Sequence, residues 1–95
     1  MREIRQRAEF LTWLDGLSDA NAVARILARI RRIERGNPGD ARSVGKGVME
    51  MRIDYGPGYR VYYVQRGADV VILLCGGDKH TQQRDIKRAH DLAET

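Results

Sequence analysis

Apolar positions along the chain follow two different periods, and the change between them divides it into a helical first half and a sheet-forming second half. Residues 1–5 read as a short strand. From near Arg7, Phe10, Leu11, Leu14 and Leu17 recur at three- and four-residue spacing on one helix face, with Gly16 weakening the last turn. Ser18, Asp19 and Asn21 offer capping oxygens to a second helix carrying Val23, Ile26, Leu27, Ile30 and Ile33 on one side. Gly36 and Asn37-Pro38-Gly39 stop it. The two segments predict a helical hairpin whose shared apolar face covers a sheet.

From Val48 the period drops to two. Met49, Met51 and Ile53 alternate with Glu50, Arg52 and Asp54, the pattern of a strand with one buried and one polar face. Gly56-Pro57-Gly58 marks a turn, residues 59–65 favour strand, and residues 66–69 turn the chain into Val-Val-Ile-Leu-Leu-Cys. These three strands predict an antiparallel meander, with the unbroken apolar run at its centre and buried on both faces. Gly76-Gly77-Asp78 is expected to break the last strand, with Asp78 capping a polar helix from about His80 to Ala93 that has Ile86, Ala89 and Ala93 on its less polar side. The glycine-rich loop over residues 37–47 is the expected mobile element. The result is an α+β class domain: two N-terminal helices packed on a small antiparallel sheet, with a C-terminal helix.

Ninety-five residues suit a single domain with one modest core. Charge sharpens the picture, since 17 basic residues against 13 acidic give a formal +4, and 14 of the 17 are arginine. Arginine's planar fork pairs bidentately with phosphates and carboxylates, which points to RNA, DNA or an acidic protein. Arg25, Arg29 and Arg32, at helical spacing, are expected only to solvate a helix face. The single cysteine, Cys75, excludes an internal disulfide and reads as a core residue. The longest apolar run is too short for a bilayer, and the N-terminus alternates charged with apolar residues, so the expected compartment is the cytoplasm, with no membrane partner.

Candidate chemistry concentrates between Gly56 and Arg84. Alternation puts Arg60 and Tyr62 on one strand face and Tyr59, Val61 and Tyr63 on the other. Arg52 can join Arg60 if the hairpin register aligns their polar sides, and Lys79 and His80 follow the next strand. Cations beside aromatic rings hold a phosphate chain and stack its bases, so Arg52, Tyr59, Arg84 and the loop residue Lys46 are candidate RNA contacts. Arg60, Lys79, His80 and Tyr62 are the candidates for charge stabilisation and proton transfer. The competing reading is a solvated basic face whose tyrosines pack against the terminal helix. Gly76-Gly77-Asp78-Lys79 lacks the spacing of a phosphate-binding NTPase loop. His80 and His90 have no cysteine or carboxylate at ligand spacing, so neither a metal nor any other cofactor is expected. Trp13, near Phe10 and Leu17, is expected to pack into the core.

The opening EIRQRAEFLTWLDGL, the helix AVARILARIRRIERGNPGD, the hairpin MEMRIDYGPGYRVYY and the tail VVILLCGGDKHTQQRDIKRA together resemble the RelE/ParE toxin superfamily. Within it the chain resembles in particular the HigB-like, phage Gp49-like addiction-module killer proteins from type II toxin-antitoxin pairs. The resemblance implies two helices on an antiparallel sheet with a first strand near residues 1–5. It also implies ribosome-dependent mRNA cleavage by attack of the RNA's own 2′-hydroxyl, and a helix-turn-helix, HigA-like antitoxin as partner. Arg60 matches the arginine that stabilises the scissile phosphate, and Lys79 and Arg52 lie where relatives supply basic groups. No tyrosine follows Tyr63, so the C-terminal catalytic tyrosine of some RelE proteins has no counterpart. His80, Lys79 or Tyr62 would then move the proton, unless alignment on the ribosome suffices. Two rival functions share the fold or the charge: a ParE-like poison of DNA gyrase, and a non-catalytic regulator that binds an acidic antitoxin or operator DNA.

Overall fold

In the computed structural model, which describes residues 1–95, β1 (Glu3–Gln6) leads directly into α1 (Ala8–Asp15) and then α2 (Ala20–Glu34). Asp19 starts α2 as expected, its side chain accepting from the backbone N–H groups of Asn21 and Ala22. Four strands follow: β2 (Ala41–Ser43), β3 (Val48–Ile53), β4 (Tyr59–Arg66) and β5 (Val70–Asp78). A one-turn 3-10 helix, Lys79–Thr81, connects β5 to α3 (Gln82–Ala93). No helix is long and apolar enough to cross a membrane.

The α+β class is as expected, but the sheet is larger and mixed. Its order is β1-β5-β4-β3-β2, with β1 parallel to β5 and every other pair antiparallel. The apolar run does form an inner strand. Buried backbone on both edges of β5 requires hydrogen-bonding partners on both sides, and β1 fills the edge that β4 leaves open. β5 carries an irregularity opposite Tyr62 and Tyr63, where the register passes from Cys75 to Leu73 and leaves Leu74 without a direct partner.

Helices cover both faces of this sheet. On one face Phe10, Ile26, Ile30 and Ile33 pack against Met51, Ile53, Val61, Tyr63, Val71 and Leu73. On the other, Ala89 of α3, flanked by the partly buried Ile86 and Leu92, packs on Val48, Tyr62, Val64, Leu74 and Cys75. The polar side expected for β3 therefore lies partly under α3, and Glu50 is fully buried. The burial of Cys75 agrees with the expectation and pushes its thiol pKa up to about 12.

Three local expectations need correction. Gly76 and Gly77 lie inside β5, where their missing side chains clear space on both faces. A Cβ at Gly76 would overlap the Trp13 ring, and one at Gly77 would overlap the Asp85 carboxylate. Arg29 does not solvate its helix face: its terminal nitrogens donate to the carbonyls of Arg52 (2.5 Å), Pro38 (2.9 Å) and Asp40 (3.2 Å). Residues 37–47 are consequently tied down, since they include β2 and the Arg52 N–H also donates to the Asp40 carbonyl at 2.9 Å.

Trp13 packs as expected, with its ring centroid 5.9 Å from that of Phe10 and 6.3 Å from that of Tyr59. Because the ring lies over Gly76, Gly76→Ala is expected to cost about 1–3 kcal/mol through overpacking. Urea denaturation measures this, and an unchanged midpoint would show that the ring yields without strain.

Candidate functional site

The β3–β4 hairpin brings the predicted basic residues together. Its turn uses Gly56 (φ 57°) and Gly58 (φ 83°) in the left-handed region, and the register pairs Arg52 with Arg60 and Arg60 with Gly77 across three strands. Asp78 accepts from the backbone N–H of His80 at 2.8 Å, forming the tight turn after β5. The stem of Lys79 then lies against the hairpin turn, where a Cβ on Gly58 would approach Lys79 Cδ to 3.5 Å. Arg52, Arg60 and Lys79 line one open cleft of about 290 Å³, together with Gly56, Gly58 and the acidic residues Asp40 and Asp54.

Arg60 is the least satisfied cation in this cleft. Its Nε is buried with no hydrogen-bond partner, as are those of Arg2 and Arg29, and unlike Arg52 it lines the cleft with no carboxylate paired to it, which leaves its charge for an anion that enters. Arg52 differs, because its Nε donates to Glu50 Oε1 at 3.3 Å. Three positive groups held in one cleft repel one another, and an anion entering it relieves that repulsion.

Glu50 lies under the cleft as a buried carboxylate with four donors. Oε1 accepts from Arg42 Nε (3.0 Å) and Arg52 Nε; Oε2 accepts from the Tyr62 hydroxyl (3.0 Å) and Gln82 Nε2 (2.8 Å). Burial alone would raise its pKa and is the largest single influence. The donors, led by Gln82 and Arg42, outweigh it and hold the carboxyl below its ordinary value. Arg42, Glu50 and Gln82 were not among the residues singled out from sequence.

The other predicted site residues lie elsewhere. Tyr62 shares a strand face with Arg60, as alternation implies, but it is fully buried and its hydroxyl is spent on Glu50. Burial, with the Glu50 charge, pushes its pKa well up and favours the protonated hydroxyl that donates to Glu50. The reading in which tyrosines pack against the terminal helix is correct for this residue. Tyr59 faces the α1 side and packs edge-on to Trp13. His80 is exposed beside Lys79 but does not line the cleft. Arg84 pairs with Asp85 (3.5 Å) and lines a different cleft with Trp13 and Arg88. Lys46 pairs with Glu94 (3.8 Å) at the far end of α3, roughly 18 Å of helix from the Lys79 turn. No three His, Cys, Asp or Glu side chains converge as a metal-ligand set.

Fold and cleft together define a small α+β domain with a cation-lined groove suited to a phosphate or carboxylate ligand. Residues 12–95 match the family of phage-derived Gp49-like proteins (DUF891), and the chain belongs to that family. It is similar to a Haemophilus influenzae protein named only as uncharacterized, at 50% identity over 92 residues, covering 97% of this chain and 93% of that one. No solved structure matches it.

The Glu50 network has a signed pH dependence. Its folded pKa is depressed below the ordinary 4.5, so its contribution is complete above that value and is lost as pH falls through the folded pKa. Glu50→Gln is expected to cost about 3 kcal/mol at neutral pH, because it removes the buried charge that all four donors share and turns an N–H group towards donors. Chemical denaturation of both proteins should show this gap narrowing below about pH 4.5; a gap independent of pH would mean that Glu50 is not ionised in the folded protein.

Proposed function

We propose that this chain is the toxin of a bacterial type II toxin-antitoxin module, of the RelE/ParE superfamily and HigB-like, and that it cleaves mRNA on the ribosome in the cytoplasm. The observation that carries the reading is the Arg60 guanidinium, with a buried and unpartnered Nε, standing in one cleft with Arg52 and Lys79. Membership of the Gp49-like family supports it, as does the resemblance of the Gly58-Tyr59-Arg60 strand motif to the superfamily motif whose arginine stabilises the scissile phosphate.

In this mechanism the ribosome holds the message so that a ribose 2′-hydroxyl lies in line with the adjacent phosphorus. The 2′-oxygen bonds to phosphorus, the bond to the 5′-oxygen breaks, and the products carry a 2′,3′-cyclic phosphate and a 5′-hydroxyl. Negative charge grows on the non-bridging oxygens, where Arg60, Arg52 and Lys79 stabilise it more strongly in the transition state than in the ground state. Tyr62 is locked to Glu50, so proton transfer falls to Lys79 or His80 on the turn after β5, or to solvent once alignment is imposed. A helix-turn-helix antitoxin neutralises the toxin, and its acidic groups would compete for the same unpaired cations.

Primer extension on an mRNA incubated with the protein, with and without ribosomes, tests this directly. Breaks that require ribosomes are expected, with Arg60→Ala and Lys79→Ala each reducing their rate on the order of 10²-fold. Intact message with folded wild-type protein would reject the nuclease. Inhibition of DNA supercoiling that survives Arg60→Ala would instead favour the gyrase poison, and neither activity would favour a purely binding regulator.

A further inference from the structure

Of the three cations in the cleft, only Arg52 is anchored by another side chain, and its anchor is out of reach of solvent. Glu50 is 0% exposed, whereas the Arg52 side chain is 36% exposed, so the pair runs from the interior to the cleft surface. Glu50 holds Arg52 by Nε alone. The terminal nitrogens of Arg52 make no hydrogen bond within the chain and remain available in the cleft. Both Glu50 oxygens are already saturated, because a carboxylate accepts about four hydrogen bonds and this one has four donors from β2, β3, β4 and α3. It has no lone pair left to take a proton from a 2′-hydroxyl.

We propose that Glu50 is the positioning residue of the cleft: it pins Arg52 by its Nε and so aims the outer guanidinium nitrogens at the scissile phosphate. The inference rests on the nuclease reading for its consequence in rate, but not for the anchoring itself. Tyr62 and Gln82 hold Glu50 in turn, so Tyr62 acts at one remove from the substrate. Arg42 shares Oε1 with Arg52 and fixes the same oxygen from the β2 side. A guanidinium oriented before the substrate arrives needs no reorganisation as charge develops, which is the general advantage of preorganised electrostatics.

A purely electrostatic view makes the opposite forecast. Glu50 is a negative charge beneath a phosphate site, so its removal should by charge alone strengthen RNA binding. Three readouts on Glu50→Gln separate the two: single-turnover mRNA cleavage on programmed ribosomes, affinity for an RNA oligonucleotide made uncleavable by a 2′-deoxy group, and the NMR signal of the Arg52 Nε–H. Cleavage is expected to fall on the order of 10²-fold, as for other small misplacements of a reacting constellation, while affinity stays level or rises and the Arg52 signal broadens. Cleavage at the wild-type rate, or rate and affinity falling together with a sharp Arg52 signal, would overturn the proposal.

Tyr62→Phe provides the same test should Glu50→Gln fold poorly, since it keeps the ring and removes one donor to Glu50. A smaller loss of rate with an unshifted pH profile is expected; a changed profile would make Tyr62 a proton-transfer group and overturn its positioning role. If the wild-type protein leaves mRNA intact, the nuclease reading fails by itself. The Arg52 Nε–H signal still decides the anchoring: a signal unchanged in Glu50→Gln would overturn it.

Discussion

The carboxylate of Glu50 joins four elements: β2 through Arg42, its own strand through Arg52, β4 through Tyr62 and α3 through Gln82. A buried charge is tolerated only when its hydrogen-bonding capacity is filled, so all four groups must arrive together. This couples the docking of the C-terminal helix to the arrangement of the hairpin. Replacing such a network with apolar groups is often neutral for stability, whereas removing one member and leaving the others in place is costly.

The cleft itself is a product of register and small residues. Cross-strand pairing sets Arg52 beside Arg60, and Gly77, the next residue in the row, leaves room for the Asp85 carboxylate of α3. Asp78 then turns the chain sharply enough for the Lys79 stem to lie on Gly58. Each cation thus comes from a different strand or turn. The site depends on the whole second half of the chain and cannot be assembled by any one segment.

Much of this was legible in the residues. Periodicity marks α1 and α2, the switch to period two marks β3, and alternation along β4 puts Arg60 and Tyr62 on one face. Alternation does not say what covers that face. Glu50 reads as exposed because its cover, α3, lies more than thirty residues further on, with Gln82 as its contact. Gly76 and Gly77 read as a strand break for the same reason, since the bodies that need their space, Trp13 and Asp85, are set by tertiary packing. The parallel pairing of β1 with β5 is a long-range choice with no local signature. Basic composition also does not say which cations converge: Arg84 and Lys46 pair with Asp85 and Glu94 outside the cleft that holds Arg52, Arg60 and Lys79.

The functional reading follows from what is left unpaired. Most polar groups beneath this face are satisfied internally, whereas Arg60 and Lys79 have no carboxylate of their own. The most direct measurement is a structure of the protein bound to a ribosome whose message carries a 2′-deoxy nucleotide at the scissile position. The expected result is the scissile phosphate within hydrogen-bonding distance of the Arg60 guanidinium, with Arg52 and Lys79 beside it. A message lying along the Trp13–Arg84–Arg88 cleft instead, with Arg60 still unpaired, would show that Arg60 does not hold the scissile phosphate.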